Sequence, residues 1–358
     1  MVTWSLCMIV RDEEAVLSRC LDSVAGVFDE IVIVDTGSRD RTREVAARYT
    51  DRVFDFDWID DFAAARNASL AQARMEYCMW LDADDILLPE DREALLRLKE
   101  DLPADTDVVM LRYRTGLDSA GQAACSYYRE RLIRNLHQPL WQGFVHEVIA
   151  PFGQILYQDI AVTHQKAGPG DPGRNLQIYE KKRRQGVAFD ARADFYYARE
   201  LYDHRQYDRA AEQLEHTLSR PDLWQENAID ACRLLADCRR ALGQREEILP
   251  ALCRSFRYDR PRAEICCEIG RCLMEQESYA PAAYWYEQAL STPRDDQSGG
   301  FVLPDCYGYL PAIQLCVCYD RMGNRAAARW YNDLAGSFRP ESEAYRWNLA
   351  YFAAKEES

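Results

Sequence analysis

The first hundred residues alternate between short apolar runs and stretches whose apolar positions recur at helical spacing. Leu6 to Val10 is the first run, and Glu13 to Val24 follows with Val16, Leu17, Cys20, Leu21 and Val24 along one helical stripe. Glu30 to Val34, Arg52 to Phe56 and Tyr77 to Leu81 read as further strands, with Thr42 to Tyr49 and Phe62 to Arg74 as the helices between them. Such alternation predicts a parallel sheet covered by helices on its faces, and ligands of these sheets bind beyond the carboxyl ends of the strands. Three of those ends carry polar clusters: Arg11-Asp12-Glu13, Asp35-Thr36-Gly37-Ser38 and Asp82-Ala83-Asp84-Asp85. Their convergence on one edge points to a nucleotide site.

The last cluster is the most demanding. Three carboxylates within four residues repel one another by roughly 1 kcal/mol per pair even at water-like screening, so a counter-ion is expected. Hard oxygen ligands suit magnesium or manganese, which complete their shells with phosphate oxygens and water. The same residues would also serve as an acidic cap on the following helix, with Asp84 or Asp85 at its N-terminus. At the second cluster, Gly37 permits a positive φ, and Asp35 can accept from an imide N–H or a ribose hydroxyl; a plain strand-to-helix turn would use the same residues.

A chain of 358 residues accommodates two domains, and 48% apolar with 29% charged residues describes a globular protein. A net charge of −15 argues against a nucleic-acid surface. No apolar run reaches the length of a membrane span, and Met1 to Val10 reads as a strand rather than a secretion signal, so a cytoplasmic protein is expected. The thirteen cysteines form no Cys-x-x-Cys pair and are read as buried thiols in a reducing compartment.

From Asp107 the pattern becomes strand-rich, with Val108 to Tyr113, Ser126 to Ile133 and Ile155 to Thr163. Between the last two lies Trp141-Gln142-Gly143-Phe144-Val145-His146-Glu147, and a composition break follows at Lys166 to Gly173. The expected division is a first domain over 1–167, a linker and connecting helix over 168–190, and an all-α domain over 191–358. In that last part Ala198…Tyr207-x-x-Ala210 recurs as Gly270…Tyr279-x-x-Ala282, two units of thirty-six later. Ala236…Gly243…Ile248 and Cys316…Gly323…Ala328…Ala335 fit further copies, with an insertion at Arg294 to Asp305 and a capping helix over Pro340 to Lys355. The pattern resembles tetratricopeptide repeats, whose paired helices stack into a concave surface suited to peptides or to homodimer formation.

Four motifs name the first half: Ser5-Leu6-Cys7-Met8-Ile9-Val10-Arg11-Asp12-Glu13; Ile33-Val34-Asp35-Thr36-Gly37-Ser38-x-Asp40-x-Thr42; Trp58-x-Asp60-Asp61-Phe62-x-x-x-Arg66-Asn67; and Trp80-Leu81-Asp82-Ala83-Asp84-Asp85. In this order they resemble a family 2 glycosyltransferase, which implies an α/β fold of the GT-A type (nucleotide-diphospho-sugar transferase, Rossmann-like). The resemblance further implies a nucleotide-sugar donor, most often a UDP-sugar, and Mn2+ or Mg2+ held by the Asp-x-Asp motif. Donor contacts are then expected from Val10, Arg11, Glu13, Asp35, Gly37, Ser38, Arg66, Asn67, Asp82, Ala83 and Asp84. Asp35 would meet the uracil or ribose, Asp82 the ribose and metal-bound water, and Asp84 the metal itself. Arg66 would lie near the diphosphate, or act as an ordinary ion-pair former, and Asn67 shares that ambiguity.

The Trp-x-Gly-x-Val-His-Glu stretch is similar to the catalytic loop of the bacterial branch that includes heptose- and peptide-modifying enzymes, which makes Glu147 the expected general base and His146 the alternative. A structural His–Glu pair in a turn would look the same. His164 resembles the late histidine that completes the metal shell, though it would equally suit a purely structural place. The Gln-x-x-Arg-Trp motif of processive synthases is absent. Fusion to tetratricopeptide-like repeats resembles the sublancin-type peptide S-glycosyltransferases, which implies a peptide or protein acceptor. A lipopolysaccharide-core or cell-surface glycan is the alternative acceptor, and a scaffold with a retired enzyme domain is the reading from another class.

Overall fold

In the computed structural model, which describes residues 2–117, 123–165 and 171–355, the chain divides into two units, Met1–Ala188 and Phe189–Ser358. The four early apolar runs form β1 (Trp4–Val10), β2 (Glu30–Asp35), β3 (Val53–Asp55) and β4 (Tyr77–Trp80), parallel to one another in the order β3-β2-β1-β4. The helices between them are α1 (Leu17–Ser23), α2 (Thr42–Ala46) and α3 (Phe62–Gln72). The first is shorter than its apolar stripe predicts. Glu13 N–H donates to Thr42 Oγ1 and Glu14 N–H to the Asp40 carboxylate, so side chains from the neighbouring loop hold this segment and the helix starts at Leu17.

The sheet continues as β4-β7-β6-β10-β5, with β5 (Asp85–Ile86), β6 (Thr106–Leu117), β7 (Ala123–Arg134) and β10 (Gln154–His164). β7 runs antiparallel to both β4 and β6, so the sheet is mixed where alternation alone implied a parallel one. The physical reason is that five residues separate β6 from β7, too few for the crossover of a dozen or more that a parallel pair needs. A two-stranded ladder, β8 (Trp141–Gln142) with β9 (Val148–Ile149), flanks Gly143 to Glu147.

Successive side chains of the central strands face opposite layers. Leu6 and Met8, with Tyr77 and Met79, pack against α1 and α4 (Pro89–Asp101), while Cys7, Cys78 and Trp80 pack against α3. Burial on both faces leaves only the strand ends open to chemistry. Helix α5 (Arg174–Arg184) belongs to this first unit: Lys181 pairs with Asp60, and Arg174 stacks over Phe62 at 4.8 Å.

The second unit is all-helical: α6 (Ala191–Asp203), α7 (Tyr207–Leu218), α8 (Gln225–Ala241), α9 (Arg245–Cys253), α10 (Ala263–Glu275), α11 (Tyr279–Ser291), α12 (Tyr309–Arg321), α13 (Arg325–Phe338) and α14 (Glu343–Ala354). The repeat shows in the turns. Arg205, Gly243, Glu277 and Gly323 all have positive φ and sit two residues before the second helix of a pair. The next residue in each turn bonds back five positions, as in Gln206 N–H to Leu201 O and Ser278 N–H to Leu273 O. This left-handed helix ending turns the chain sharply into an antiparallel partner. Every cysteine among the described residues is a free thiol, and all but Cys253 are buried. No helix among the described residues is long and apolar enough to cross a membrane.

Candidate active site

Because β1, β2 and β4 are parallel, their carboxyl ends meet on one edge, and the loops there are sewn together by side chains. Ser38 donates to Asp35 through both its N–H (3.0 Å) and its hydroxyl (2.7 Å), while its Oγ accepts from Asp12 N–H. Arg43 bridges Asp35 at 3.4 Å and also Asp55. Asp35 is therefore buried and engaged within its own loop. Val10 O accepts from Thr36 N–H, Gly37 has φ +100°, and Arg11 lies exposed beside Asp12. Glu13 faces the acidic cluster: burial, then the charges of Asp84, Asp82 and Asp40, raise its carboxyl to about 7.

The turn after β4 does not cap a helix. Asp82 N–H donates to the Asp85 carboxylate and Asp85 N–H returns to Asp82 O, which closes the turn and leads into β5. Helix α4 starts later, with Leu88 at its N-cap and no side-chain cap. β5 pairs antiparallel with the end of β10, setting His164 opposite Asp85. Asp84, Asp85 and His164 thus offer ligand atoms within 4.8 Å of one another.

Each of the three carboxylates has a different neighbour. Asp85 is fully buried and accepts from Arg131 (3.1 Å) and Tyr113 Oη (3.0 Å). Asp82 pairs with Arg66 at 2.7 Å, and the other side of the same guanidinium holds Glu147 at 2.6 Å. Burial would raise the Asp82 carboxyl, but Arg66, with Arg131 and Arg129 behind it, holds it at about 2. The counter-ion expected for this cluster is thus a guanidinium at two of the three positions, and Asp82 stands outside the group formed with His164. Asp84 meets an imidazole instead, His164 at 3.4 Å. Asp84 first, and Asp85 after it, raise the His164 imidazole to about 10.

The donor set suits a hard or borderline divalent cation. Among the described residues His164 Nδ1 is buried with no hydrogen-bond partner, 3.4 Å from Asp84 Oδ1 and 3.5 Å from Asp85 Oδ1. Two oxygens and one imidazole nitrogen around an unsatisfied buried atom fit Mn2+ or Mg2+.

Arg66 is 8% exposed and lies between two indoles, 4.9 Å from the ring of Trp80 and 4.9 Å from that of Trp141. Asn67 does not reach toward this cluster. Its carbonyl accepts from Leu140 and Trp141 N–H and its amide donates to Trp141 O, each at 3.0 Å, so it anchors the start of the loop that carries Glu147. His146 has φ +52° and stacks at 6.5 Å on the buried Tyr179 of α5. Ala83 is buried in the turn. Sequence reading counted Asp85 among the three carboxylates, with helix capping as its alternative role, and gave no role to Arg131 or to the Trp80–Trp141 pair. The available signal for Arg131 was its place next to Leu132 and Ile133 in a strand-forming stretch, since a charge drawn into a sheet needs a partner.

Residues 5–156 match the family model described as Glycosyl transferase family 2. The first unit is a glycosyltransferase family 2 domain, followed by an all-helical unit of tetratricopeptide-like helix pairs. Among curated relatives, a TPR repeat-containing protein of Synechococcus elongatus is 42% identical over 145 residues, covering 40% of this chain and 35% of that one. The lipopolysaccharide core biosynthesis glycosyltransferase LpsC of Rhizobium meliloti is 30% identical over 163 residues, 41% of this chain and 57% of LpsC. The glycosyltransferase SunS of Bacillus phage SPbeta is 29% identical over 93 residues, 25% of this chain and 22% of SunS. The chain thus spans about a third of the first relative's length and less than two thirds of each of the others.

Proposed function

We propose that this protein is a metal-dependent inverting glycosyltransferase that moves a hexose from a UDP-sugar to a Cys or Ser/Thr side chain of a peptide or protein. The observation that carries the reading is the meeting, at one sheet edge, of a ready divalent-cation cluster with a carboxylate oriented by a buried arginine. Asp84 and His164 would hold the cation, with Asp82 beside them. Bound there, the cation would neutralise charge on the departing diphosphate. Asp35 and the Gly37–Ser38 turn would receive the nucleoside. Glu147, fixed through Oε1 by Arg66, would take the acceptor proton through its other oxygen.

Manganese-dependent hydrolysis of UDP-sugars without acceptor, lost in Asp84→Ala, is the expected result. Absence of turnover with any UDP- or GDP-sugar would leave the scaffold reading in its place. The relative whose name places it in lipopolysaccharide core biosynthesis favours a second reading, with a glycan acceptor. Radiolabel transfer to peptide or to core oligosaccharide separates the two. Residence in the cytoplasm, the boundaries 1–167, 168–190 and 191–358, and self-association through the helical unit belong to the same proposal.

A further inference from the structure

In the second unit the turns within helix pairs are tight, but the chain between α11 and α12 makes a long excursion over 292–308. It runs back across the first helices of the preceding pairs. Gly299, at φ +77°, lies against the ring of Trp224, where a Cβ would come within 3.1 Å. Gly300 lies against Glu226, where a Cβ would meet the carboxylate at 2.3 Å. The Phe301 ring then sits 6.4 Å from Phe195 and 4.0 Å beneath the Arg199 guanidinium, both on α6. Leu303 is extended, and its N–H donates to Glu264 Oε1 on α10 at 2.8 Å, while Tyr307 Oη donates to the other oxygen at 3.0 Å. Beside this segment a small open cleft is lined by Ile229, Asp230 and Arg233 of α8, by Ile265 of α10 and by Phe301 of the segment itself.

The contacts are those of a bound peptide: glycines where the backbone must approach, an aromatic anchor under a guanidinium, and a main-chain N–H on a fixed carboxylate. They are also incomplete. Phe301 remains 40% exposed and Leu303 43%, so Gly299 to Leu303 is seated on the groove, whereas Cys306, 4% exposed, is built into the core beside α10 and anchors the far end.

We propose that Gly299–Leu303 is a strap that fills this groove in cis, and that the groove exchanges it for an extended stretch of a partner polypeptide with the same chemistry: two small residues, an aromatic, then aliphatic residues. The strap is tethered at both ends, so it competes at an effective concentration of about a millimolar, and only a partner with better contacts displaces it. Apparent affinity for a free peptide is lowered by the fraction of molecules whose groove is open. This inference does not depend on the transferase reading.

The test uses the full chain and a fluorescein-labelled synthetic peptide of strap sequence, Ser-Gly-Gly-Phe-Val-Leu-Pro-Asp, followed by anisotropy. Phe301→Ala should bind it about tenfold or more tighter than the unaltered protein, and a peptide with Ala in place of Phe should bind neither. Equal binding to both proteins, or equal binding of both peptides, overturns the proposal. Should Phe301→Ala lose its helical circular dichroism, hydrogen exchange of the unaltered protein decides. Millimolar peptide should speed exchange of the Leu303 amide while α8 and α10 stay protected, and unchanged exchange overturns the proposal. UDP-sugar hydrolysis is read separately in the same samples, so failure of either idea is distinguishable from failure of the other.

Discussion

Replacing Arg66 by Met tests the electrostatics of the site while leaving the side chains of Asp84 and His164 in place. The Met stem would stay between the indoles of Trp80 and Trp141, but the charge that holds Asp82 and Glu147 would go. Removing one partner of a fully buried ion pair costs about 3–5 kcal/mol. Glu147 is 12% exposed and would bear most of that penalty, whereas Asp82 is 36% exposed and recovers part of its hydration. A loss of about 2–3 kcal/mol at pH 7 is therefore expected, including roughly 1 kcal/mol of cation–π attraction. The sign of the pH dependence follows from Asp82. Its carboxyl lies at about 2 in the folded protein against an ordinary 3.8, so its contribution is present above 3.8 and is lost as pH falls toward 2. Discounted for exposure, that contribution is ~1 kcal/mol, and about half of it is gone at pH 3, so the deficit of Arg66→Met should shrink by roughly 0.5 kcal/mol between pH 7 and pH 3. Urea unfolding followed by tryptophan fluorescence at the two pH values measures it. A variant within about 0.5 kcal/mol of the parent at pH 7, or a deficit equal at both pH values, would refute the reasoning.

Three further outcomes are expected. Since His164 titrates at about 10, a cation must displace its proton at neutral pH, so manganese affinity should rise by up to about tenfold per pH unit from pH 6 to 8, and His164→Ala should weaken binding about tenfold or more; calorimetry showing neither removes His164 from the site. Glu147→Gln should keep UDP binding by equilibrium dialysis but lose sugar transfer, and transfer near the parent rate would rule Glu147 out as the base. In the helical unit, a Cβ at Gly270 would meet the buried Tyr286 ring at 2.7 Å, so Gly270→Ala should cost about 1–3 kcal/mol, whereas Glu277→Gly, at φ +58°, should gain about 1 kcal/mol; thermal melts of opposite sign are the check.

The early strands, the helices between them and the paired helices of the second half were legible in the amino-acid order, because the periods of two and 3.6 are properties of chain neighbours. The polar clusters at three strand ends were legible for the same reason, since strand direction dictates which ends share an edge. Element lengths were less so. Apolar spacing carried α1 back to Glu13, but Asp40 and Thr42 hold that segment from another loop. The mixed sheet was likewise hidden, because β7 enters beside β4 only after a hairpin excursion.

What the chain alone determined, then, is the inventory: a sheet edge carrying aspartates, a downstream histidine and a late glutamate. What only the tertiary structure decided is which charge meets which. Arg66 is 16 positions from Asp82 and 81 from Glu147, yet one guanidinium holds both. His164 reaches Asp84 only because β5 pairs with β10. Carboxylates look alike in a sequence; their different neighbours, guanidinium for Asp82 and Asp85 and imidazole for Asp84, arise from long-range packing. Electrostatic energy depends on distances in space, and no local pattern of residues records those.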